Sequence, residues 1–477
     1  MSAPGVEELA LRVVLGSFPG PALPADWARL LDEGLGGVCL FGSNLPGSTD
    51  DAAALVAAVR ARRAAVLVAT DEEGGDVTRL HRRDASPVPG PAVLGAVDDA
   101  DLTRAVGVAV GAELAAVGID LALGPVADVN SNPDNPVIGT RSFGARPDLV
   151  ARHVAAWVAG LQSAGVAACV KHFPGHGDTA QDSHLTLPVL DADLATLEAR
   201  ELVPFAAAID AGAAAVMTSH LVVPTVDPAL PATLSRPVLA LLRDGLGHDG
   251  VIVSDALDMA GASGGRSIPE AAVDALAAGV DLLCTGPDKE AALVRDIQSA
   301  IVEAVAGGRL PRARLAEAAA RVDGLTDRLR KAATGAVAAA AAGLVDARRL
   351  AQAAREALLV EGPLPDLTGA TVVSIAIEAN IAVGEGRWGV DADLVVTEGD
   401  VLPDGPVVVQ VRDGHRRPGV AAMLAALTGP ALVVEWGWPG PRTGWEGARH
   451  ARVCTRGNGR PSITAVEEIL GEAGWQR

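Results

Sequence analysis

The sequence predicts an α/β protein in which a TIM-type (β/α)8 barrel is followed by a smaller α/β sandwich domain. Two observations predict the barrel: eight short apolar runs alternate with Ala-rich stretches up to about residue 330, and polar groups directly follow several of the runs. Further strand-like runs lie beyond residue 370. Since 477 residues exceed one ordinary core, we expect a barrel domain over residues 1–335, and linker helices with a C-terminal α/β domain over 336–477.

The predicted barrel strands are short runs rich in Val, Leu, Ile and Ala. In chain order they are residues 12–17, 37–41, 65–70, 119–124, 166–170, 214–218, 251–254 and 280–284. The first run is equally compatible with a helix, because periodicity does not separate the two in so short a segment. An Ala- and Arg-rich stretch over 312–342 predicts a closing helix with a linker. Beyond it, the predicted buried strands are residues 371–377, 406–411 and 431–435.

Polar side chains stand where several of the predicted strands end. The carboxyl ends of the strands in such a barrel, with the loops that follow them, form the face that carries the active site. We therefore expect one mouth to collect Asp71 after the third strand, Lys171 and His172 after the fifth, Ser219 and His220 after the sixth, and Asp255 after the seventh.

Composition excludes several classes of partner. The formal net charge of −20 argues against nucleic acid and anionic membranes as partners, because both require clustered Lys and Arg.

The N-terminal residues do not have the pattern of a signal peptide, and no apolar run has the length of a membrane span. Four widely spaced cysteines, three of them in strand-like runs, indicate buried reduced thiols. We therefore expect a cytoplasmic protein.

The densest motif is the run Lys-His-Phe-Pro-Gly-His-Gly-Asp-Thr over residues 171–179, followed by Asp182, Ser183 and His184. Pro and Gly in its middle exclude a continuous helix, so His172 and His176 do not share one helical face. A zinc site and a merely solvated loop are therefore less favoured than a catalytic loop.

Three other segments carry candidate groups. Asp255 follows the apolar run 251–254, where a carboxylate could also serve only as a helix cap. Asp258 is expected to face the surface of the next helix. The segment 71–75 places acids before a Gly pair and could be an ordinary turn, and the Gly-bounded loop 135–144 contains Arg141, which could hold a polar ligand.

Seven segments spread over most of the predicted barrel resemble glycoside hydrolase family 3, and within it the bacterial β-N-acetylglucosaminidase branch. These segments are 37–41, 71–75, 124–129, 141–143, 171–179, 182–184 and 254–259. The long motif over 171–184 is the most specific of them. The resemblance implies a retaining β-N-acetylhexosaminidase that removes terminal non-reducing β-linked N-acetylglucosamine.

The resemblance also implies a role for each matching residue. Asp255 matches the nucleophile that forms a covalent glycosyl-enzyme. His184 matches the general acid/base, and Asp182 matches its partner, which would stabilise the protonated imidazole. The residues that match sugar-binding positions are Asp71, Arg79, Arg141, Lys171 and His172. His176 and Ser254 are expected to support the shape of the site, with His220 as a further candidate.

The expected ligand is a small carbohydrate, such as a terminal N-acetylglucosaminide of a muropeptide fragment, in the turnover of cell-wall material. We expect no cofactor, no bound metal, and a monomer or weak oligomer. Two positions depart from the family pattern, since Glu72 replaces a usual Gln and Asp76 a usual Arg. Both changes are expected to add acidity near the mouth and to disfavour an anionic aglycone.

Several alternatives remain open on sequence grounds. A neutral His does not repel phosphate as a carboxylate would, so phosphate rather than water could accept the sugar in a phosphorylase. A β-glucosidase or β-xylosidase of the same family is another alternative. Outside glycoside cleavage stand a non-catalytic sugar-binding relative and a metal-dependent hydrolase built on His172, His176, Asp178 and His184.

Overall fold

The computed structural model describes residues 4–45, 48–180, 187–263, 265–340, 345–377, 382–384, 386–440 and 450–476. Eight parallel strands form the first sheet: β1 (Val14–Gly16), β2 (Gly37–Leu40), β3 (Leu67–Thr70), β4 (Leu121–Ala122), β5 (Ala167–Phe173), β6 (Ala215–Thr218), β7 (Val251–Val253) and β8 (Leu283–Cys284). Neighbouring strands pair in chain order and β1 pairs with β8. A parallel bridge between Val253 and Leu282 joins the two ends of the sheet. The predicted TIM-type barrel is confirmed.

Each predicted run contains or overlaps one of these strands. β5 extends to Phe173, three residues beyond the prediction, because Phe173 still pairs with Thr218 of β6. Lys171 is also paired, since its carbonyl accepts a hydrogen bond of 2.6 Å from the Ala127 amide. The motif that follows the strand therefore begins inside the sheet, which fixes the direction of its first side chains.

Side chains of the strands alternate between two apolar layers. Cys39 of β2 belongs to the barrel interior, whereas its neighbours Val38 and Leu40 pack outward against the helices. This period of two is the geometry of a pleated strand. Cys169 and Cys284 also lie in the interior, and all four cysteines are buried free thiols, as the sequence predicted.

Helices surround the barrel. Those of the first 340 residues are Val6–Arg12, Ala25–Glu33, Thr49–Arg62, Pro91–Val97, Ala100–Val117, Pro147–Ser163, Leu194–Thr196, Leu202–Asp210, Arg236–Ala240, Ala260–Ser263, Ile268–Ala278, Ala291–Ala306 and Arg312–Ala340. Single turns of other helix types span Gly139–Arg141, Leu197–Glu201, Ala232–Leu234 and Leu241–Gly245. Two small hairpins pair Glu72–Gly74 with Val77–Thr78, and Val222–Val223 with Asp227–Pro231.

The second domain is a six-stranded mixed sheet between helices. Its strands are β9 (Leu359–Glu361), β10 (Thr371–Ile375), β11 (Leu394–Val396), β12 (Val407–Val411), β13 (Ala431–Glu435) and β14 (Ala451–Cys454), in the spatial order β9-β14-β13-β12-β10-β11. Its helices are Ala347–Ala357, Pro418–Ala425 and Arg460–Glu472, with a 3-10 turn over Gly414–Arg416. Apolar clusters cover both faces of the sheet, so the predicted layered α/β domain is confirmed.

No helix in the described ranges is both long and apolar enough to cross a membrane.

Asp281, just before β8, ties the closing strands to the surrounding helices. Its buried carboxylate accepts hydrogen bonds from the guanidinium of Arg243 at 2.7 Å and of Arg321 at 3.3 Å, and from the Ile252 amide at 3.0 Å. Arg314 forms a further ion pair with the same carboxylate. One buried carboxylate therefore contacts three guanidinium groups at the base of the barrel.

We predict that Asp281→Ala lowers the free energy of unfolding by roughly 3–5 kcal/mol, because it removes the buried carboxylate that three partly buried guanidinium groups share. Urea unfolding followed by circular dichroism measures the change. Asp296, exposed on the helix Ala291–Ala306, supplies the control, since Asp296→Ala should change stability by no more than about 0.5 kcal/mol. Equal stability of the two variants would contradict the prediction.

Candidate active site

A cavity of about 300 Å³ opens at the carboxyl ends of the barrel strands. Its volume lies at the lower end of the range that small-molecule sites occupy. Seven of the sequence-predicted site residues line it together: Asp71, Arg79, Arg141, Lys171, His172, His176 and Asp255. The fold thus brings together seven residues that are spread from Asp71 to Asp255 in the sequence.

Asp255 stands two residues beyond β7. Its Oδ1 accepts a hydrogen bond of 2.8 Å from the Ala256 amide, and its carboxylate is partly exposed to the cavity. Ser254 lies buried behind it, where its Oγ accepts from the Cys284 amide at 2.9 Å. Ser254 therefore joins the ends of β7 and β8 and does not line the cavity.

His220 supports the same turn from below. It is fully buried, its Nε2 contacts the Ala256 carbonyl at 2.9 Å, and its Nδ1 contacts Thr233 Oγ1 at 2.9 Å. The imidazole thus holds the backbone directly after Asp255. It does not belong to the cavity wall.

A network of buried charges forms another wall. Lys171 Nζ lies 2.7 Å from Asp71 Oδ1 and 2.7 Å from Glu73 Oε1. Arg141 binds Glu73 through two parallel hydrogen bonds, of 2.9 Å from Nε and 2.8 Å from Nη2. This paired arrangement is the strongest geometry for a guanidinium and a carboxylate.

The ionisation of this network follows from its geometry. Burial alone would raise the pKa of Asp71, but Lys171 and Arg79 outweigh it and hold that pKa far below its usual value. Burial is likewise outweighed at Glu73, where Arg141 and Lys171 lower the pKa to about 2. Both carboxylates are therefore charged at neutral pH, and they raise the pKa of Lys171 in turn despite its burial.

Arg79 links the cavity to the second domain. Its Nη2 contacts Asp71 Oδ2 at 3.3 Å and donates to the Ala382 carbonyl at 2.9 Å, while Nη1 donates to the Val383 carbonyl at 3.0 Å. Ala382 itself lines the cavity. The second domain therefore contributes backbone to the wall of the site, a feature that the sequence did not reveal.

His172 is oriented by a buried carboxylate. Its Nδ1 lies 2.7 Å from Asp128 Oδ2, and Asp128 Oδ1 also accepts the backbone amides of His172 and His176 at 3.2 and 2.7 Å. With Nδ1 engaged by Asp128, Nε2 is the ring nitrogen left to contact a ligand. His176 Nδ1 meets Thr179 Oγ1 at 2.8 Å, and burial lowers the pKa of His176 to about 4.

The two departures from the family pattern do not add free acid to the cavity. Glu72 is buried and accepts the amides of Arg79 and Leu80 at 2.9 and 3.2 Å, and burial raises its pKa. Asp76 pairs with Arg412 of the second domain and accepts from Thr140 Oγ1 at 2.6 Å. Backbone amides and an arginine of the second domain therefore engage these carboxylates, and neither residue lines the cavity.

Asp258 was expected on a helix surface, and the structure corrects this. It lines the cavity and pairs with Lys289 at 2.7 Å, because the chain after β7 turns before the next helix begins. Asp182 and His184 lie outside the described residues. Sequence reasoning also missed Glu73 and Asp128 as members of the site, although each stands inside a segment that carries the family resemblance.

The burial of His176 predicts a pH dependence of stability. An imidazole in the unfolded chain titrates near ~6.5, whereas His176 in the folded protein titrates near about 4. Between these values the unfolded state binds a proton that the folded state does not, so stability falls as the pH falls. From about pH 7 to about pH 5 this residue should remove about 2 kcal/mol, and a His176→Gln variant should lose that much less over the same interval.

Urea titrations of both proteins at the two pH values measure the difference. His81 provides a control of opposite sign, because Glu113 at 2.9 Å outweighs partial burial and raises the pKa of His81. A raised pKa gives stability that is present at low pH and is lost as the pH rises. His81→Gln should therefore not reduce the acid-induced loss, and a reduction equal to that of His176→Gln would contradict the assignment.

Comparisons with known proteins identify the family of the chain. Residues 24–325 match the family model described as the glycosyl hydrolase family 3 N-terminal domain. The chain is 42% identical over 280 residues to a β-hexosaminidase of Chromobacterium violaceum, which covers 57% of this chain and 77% of that protein. It is 40% identical over 273 residues to a β-hexosaminidase of Alkalilimnicola ehrlichii, with 55% of this chain and 77% of that protein covered.

Solved structures extend the similarity to the second domain. A glycoside hydrolase family 3 β-N-acetylglucosaminidase from a Paenibacillus species superposes with a TM-score of 0.87 at 29% identity, covering 99% of this chain and 97% of that chain. A β-N-acetylhexosaminidase from Beutenbergia cavernae gives a TM-score of 0.61 at 30% identity, covering 69% of this chain and 100% of that chain. The protein is a glycoside hydrolase and belongs to glycosyl hydrolase family 3.

Proposed function

We propose that this enzyme is a retaining β-N-acetylhexosaminidase that removes terminal non-reducing β-linked N-acetylglucosamine. The observation that carries the proposal is the position of Asp255, whose carboxylate lies just after a barrel strand and inside a cavity rich in fixed hydrogen-bonding groups. The names of the similar proteins support the choice of substrate.

The sugar is held by the charge network. Two hydrogens of the Lys171 ammonium face Asp71 and Glu73, which leaves the third for a substrate oxygen. Asp71 accepts from cations on both carboxylate oxygens and keeps further lone pairs for sugar hydroxyls. Since these groups are fixed before substrate arrives, little reorganisation is needed when charge develops at the reacting centre.

The reaction proceeds in two displacements. Asp255 attacks the anomeric carbon and forms a glycosyl ester while the glycosidic oxygen takes a proton from the acid/base residue and leaves. Water then attacks the same carbon, gives its proton back to that residue and releases Asp255. We assign the proton transfer to His184 with Asp182 as its partner, on the family resemblance of the segment 182–184.

We further propose that the enzyme acts in the cytoplasm on fragments of cell-wall carbohydrate. Its four buried free thiols are compatible with a reducing compartment. The choice of cell-wall carbohydrate as the substrate, and of its aglycone, follows from the family resemblance.

Replacing the proposed nucleophile tests the chemistry. Asp255→Asn should lower kcat/KM for p-nitrophenyl β-N-acetylglucosaminide by roughly 10⁴-fold or more, since no covalent intermediate can form. In an Asp255→Gly variant, azide should restore part of the rate and give the α-glycosyl azide, because a small anion can attack from the vacated face. Asp249→Asn, in the surface loop before β7, is the matched control and should keep wild-type activity.

Product analysis with and without inorganic phosphate separates the two acceptors. Free N-acetylglucosamine at a rate independent of phosphate supports hydrolysis. A sugar 1-phosphate formed only in phosphate would replace the proposal with a phosphorylase, and absence of turnover by folded wild type would leave a sugar-binding relative.

Leaving-group dependence tests His184. General acid catalysis contributes on the order of 10²- to 10⁴-fold, and a good leaving group does not need it. His184→Ala should therefore reduce kcat/KM strongly for a disaccharide and far less for an aryl glycoside whose phenol has a low pKa. Equal losses on both substrates would show that His184 does not donate the proton.

A further inference from the structure

We propose that Arg200 is a positioning residue for the acid/base step, which it serves by fixing the end of the motif loop through Asp178. The motif loop is the stretch 174–180, which follows β5. Asp178 stands four residues before Asp182 in the sequence. The inference rests on the proposed glycosidase function, since it adds a residue to the step that this function assigns to His184 and Asp182.

Asp178 is held from two sides. Its Oδ1 accepts a hydrogen bond of 2.9 Å from Ser131 Oγ, which belongs to the loop after β4. Its Oδ2 accepts a hydrogen bond of 2.7 Å from Nη2 of Arg200, which lies in the π-helical turn Leu197–Glu201. Because each oxygen has a different donor, both the position and the orientation of the carboxylate are fixed.

The π-helical turn also brings Glu201 against the motif loop. Glu201 is fully buried, and its Oε1 accepts a hydrogen bond of 2.5 Å from Nε of Arg200. Its other oxygen packs directly against Gly175, where a Cβ would overlap it. Turns of this type are rare in helices and frequently lie at functional sites. Arg200 is therefore held between two carboxylates, Glu201 on its own turn and Asp178 on the loop.

Other contacts hold the beginning of the motif loop. Asp128 accepts the amides of His172 and His176 at 3.2 and 2.7 Å. Of the ion pairs that the structure describes, the pair between Asp178 and the guanidinium is the nearest in sequence to the segment 182–184. This pair therefore fixes the loop at its far end, where the chain continues toward the assigned acid/base residues.

The charges indicate that loss of Arg200 should change catalysis more than folding. Both side chains of its ion pair with Asp178 are partly exposed, and such pairs add little to stability. Burial raises the pKa of Glu201 to about 7, although Arg200 opposes this rise. Without Arg200, the Glu201 carboxylate can take up a proton, so that no unpaired charge stays buried. The variant mainly loses the fixed position of Asp178.

The experiment compares two substrates that differ in how much their leaving group needs a proton. They are N,N′-diacetylchitobiose and 2,4-dinitrophenyl β-N-acetylglucosaminide. Arg200→Met should lower kcat/KM by roughly 10- to 100-fold on the disaccharide and by less than about threefold on the dinitrophenyl glycoside, because a small misplacement of the acid slows only the step that needs it. Asp178→Asn should show the same dependence on the leaving group, and it decides the question if Arg200→Met does not fold.

A double variant tests whether Arg200 acts through His184. If it does, Arg200→Met/His184→Ala should cleave the disaccharide within about twofold of the rate of His184→Ala alone, because residues that act through one another are not additive. Losses that multiply in the double variant would overturn the inference. Equal losses of Arg200→Met on both substrates would also overturn it, since they would indicate only a smaller folded fraction.

Arg152 supplies the matched control, because it also bridges two aspartates, Asp98 and Asp148, but on the outside of the barrel. Arg152→Met should keep wild-type kcat/KM on both substrates, and a loss that depends on the leaving group in this variant would overturn the inference. An Arg200→Met variant with wild-type activity would overturn it too and would leave the proposed function intact. A folded wild type that cleaves neither substrate would count against the proposed function itself.

Discussion

The fully buried pairing of Glu73 with Arg141 and Lys171 is the interaction on which the candidate site depends. A charge removed from water is tolerated only when opposite charges and hydrogen bonds surround it, and removal of one partner leaves the others destabilised. β5, the hairpin strand Glu72–Gly74 and the turn Gly139–Arg141 supply these three residues, so the network forms only when these elements pack together. The packing of these elements therefore also builds this part of the site.

Much of the barrel was predictable from local pattern. Short apolar runs separated by helix-like stretches located all eight strands, because each strand is buried on both faces and needs no polar alternation. The second domain was harder to read. Three of its four inner strands, β10, β12 and β13, were predicted, whereas the inner strand β14 and the edge strands β9 and β11 were missed. The two edge strands have only three residues each, which is too short for a clear pattern. Val395 of β11 is 66% exposed, so this strand does not have the buried residues that a strand-like apolar run predicts.

The site was predictable where a polar residue follows a strand. Asp71 and Asp255 follow strands, Lys171 and His172 stand near the end of β5, and all four meet at the cavity. Glu73 and Asp128 were missed as site members, because a buried acid that binds other protein groups leaves no distinctive pattern in a single sequence. The hydrogen bonds from Arg79 to the carbonyls of Ala382 and Val383 could not be predicted for a different reason. Every residue has a backbone carbonyl, so the sequence does not indicate which one accepts a hydrogen bond.

The pair formed by Asp76 and Arg412 has a consequence for how the two domains can be recombined. Asp76 sits beside the Gly pair of the barrel, and Arg412 follows β12 of the second domain. A barrel with Arg in place of Asp76, joined to this second domain, would bring two cations together in an almost solvent-free junction, where like charges repel strongly. Asp76 and Arg412 must therefore be exchanged together in any chimera of the two domains. The two domains can pack against each other at this point only if these two side chains carry complementary charges.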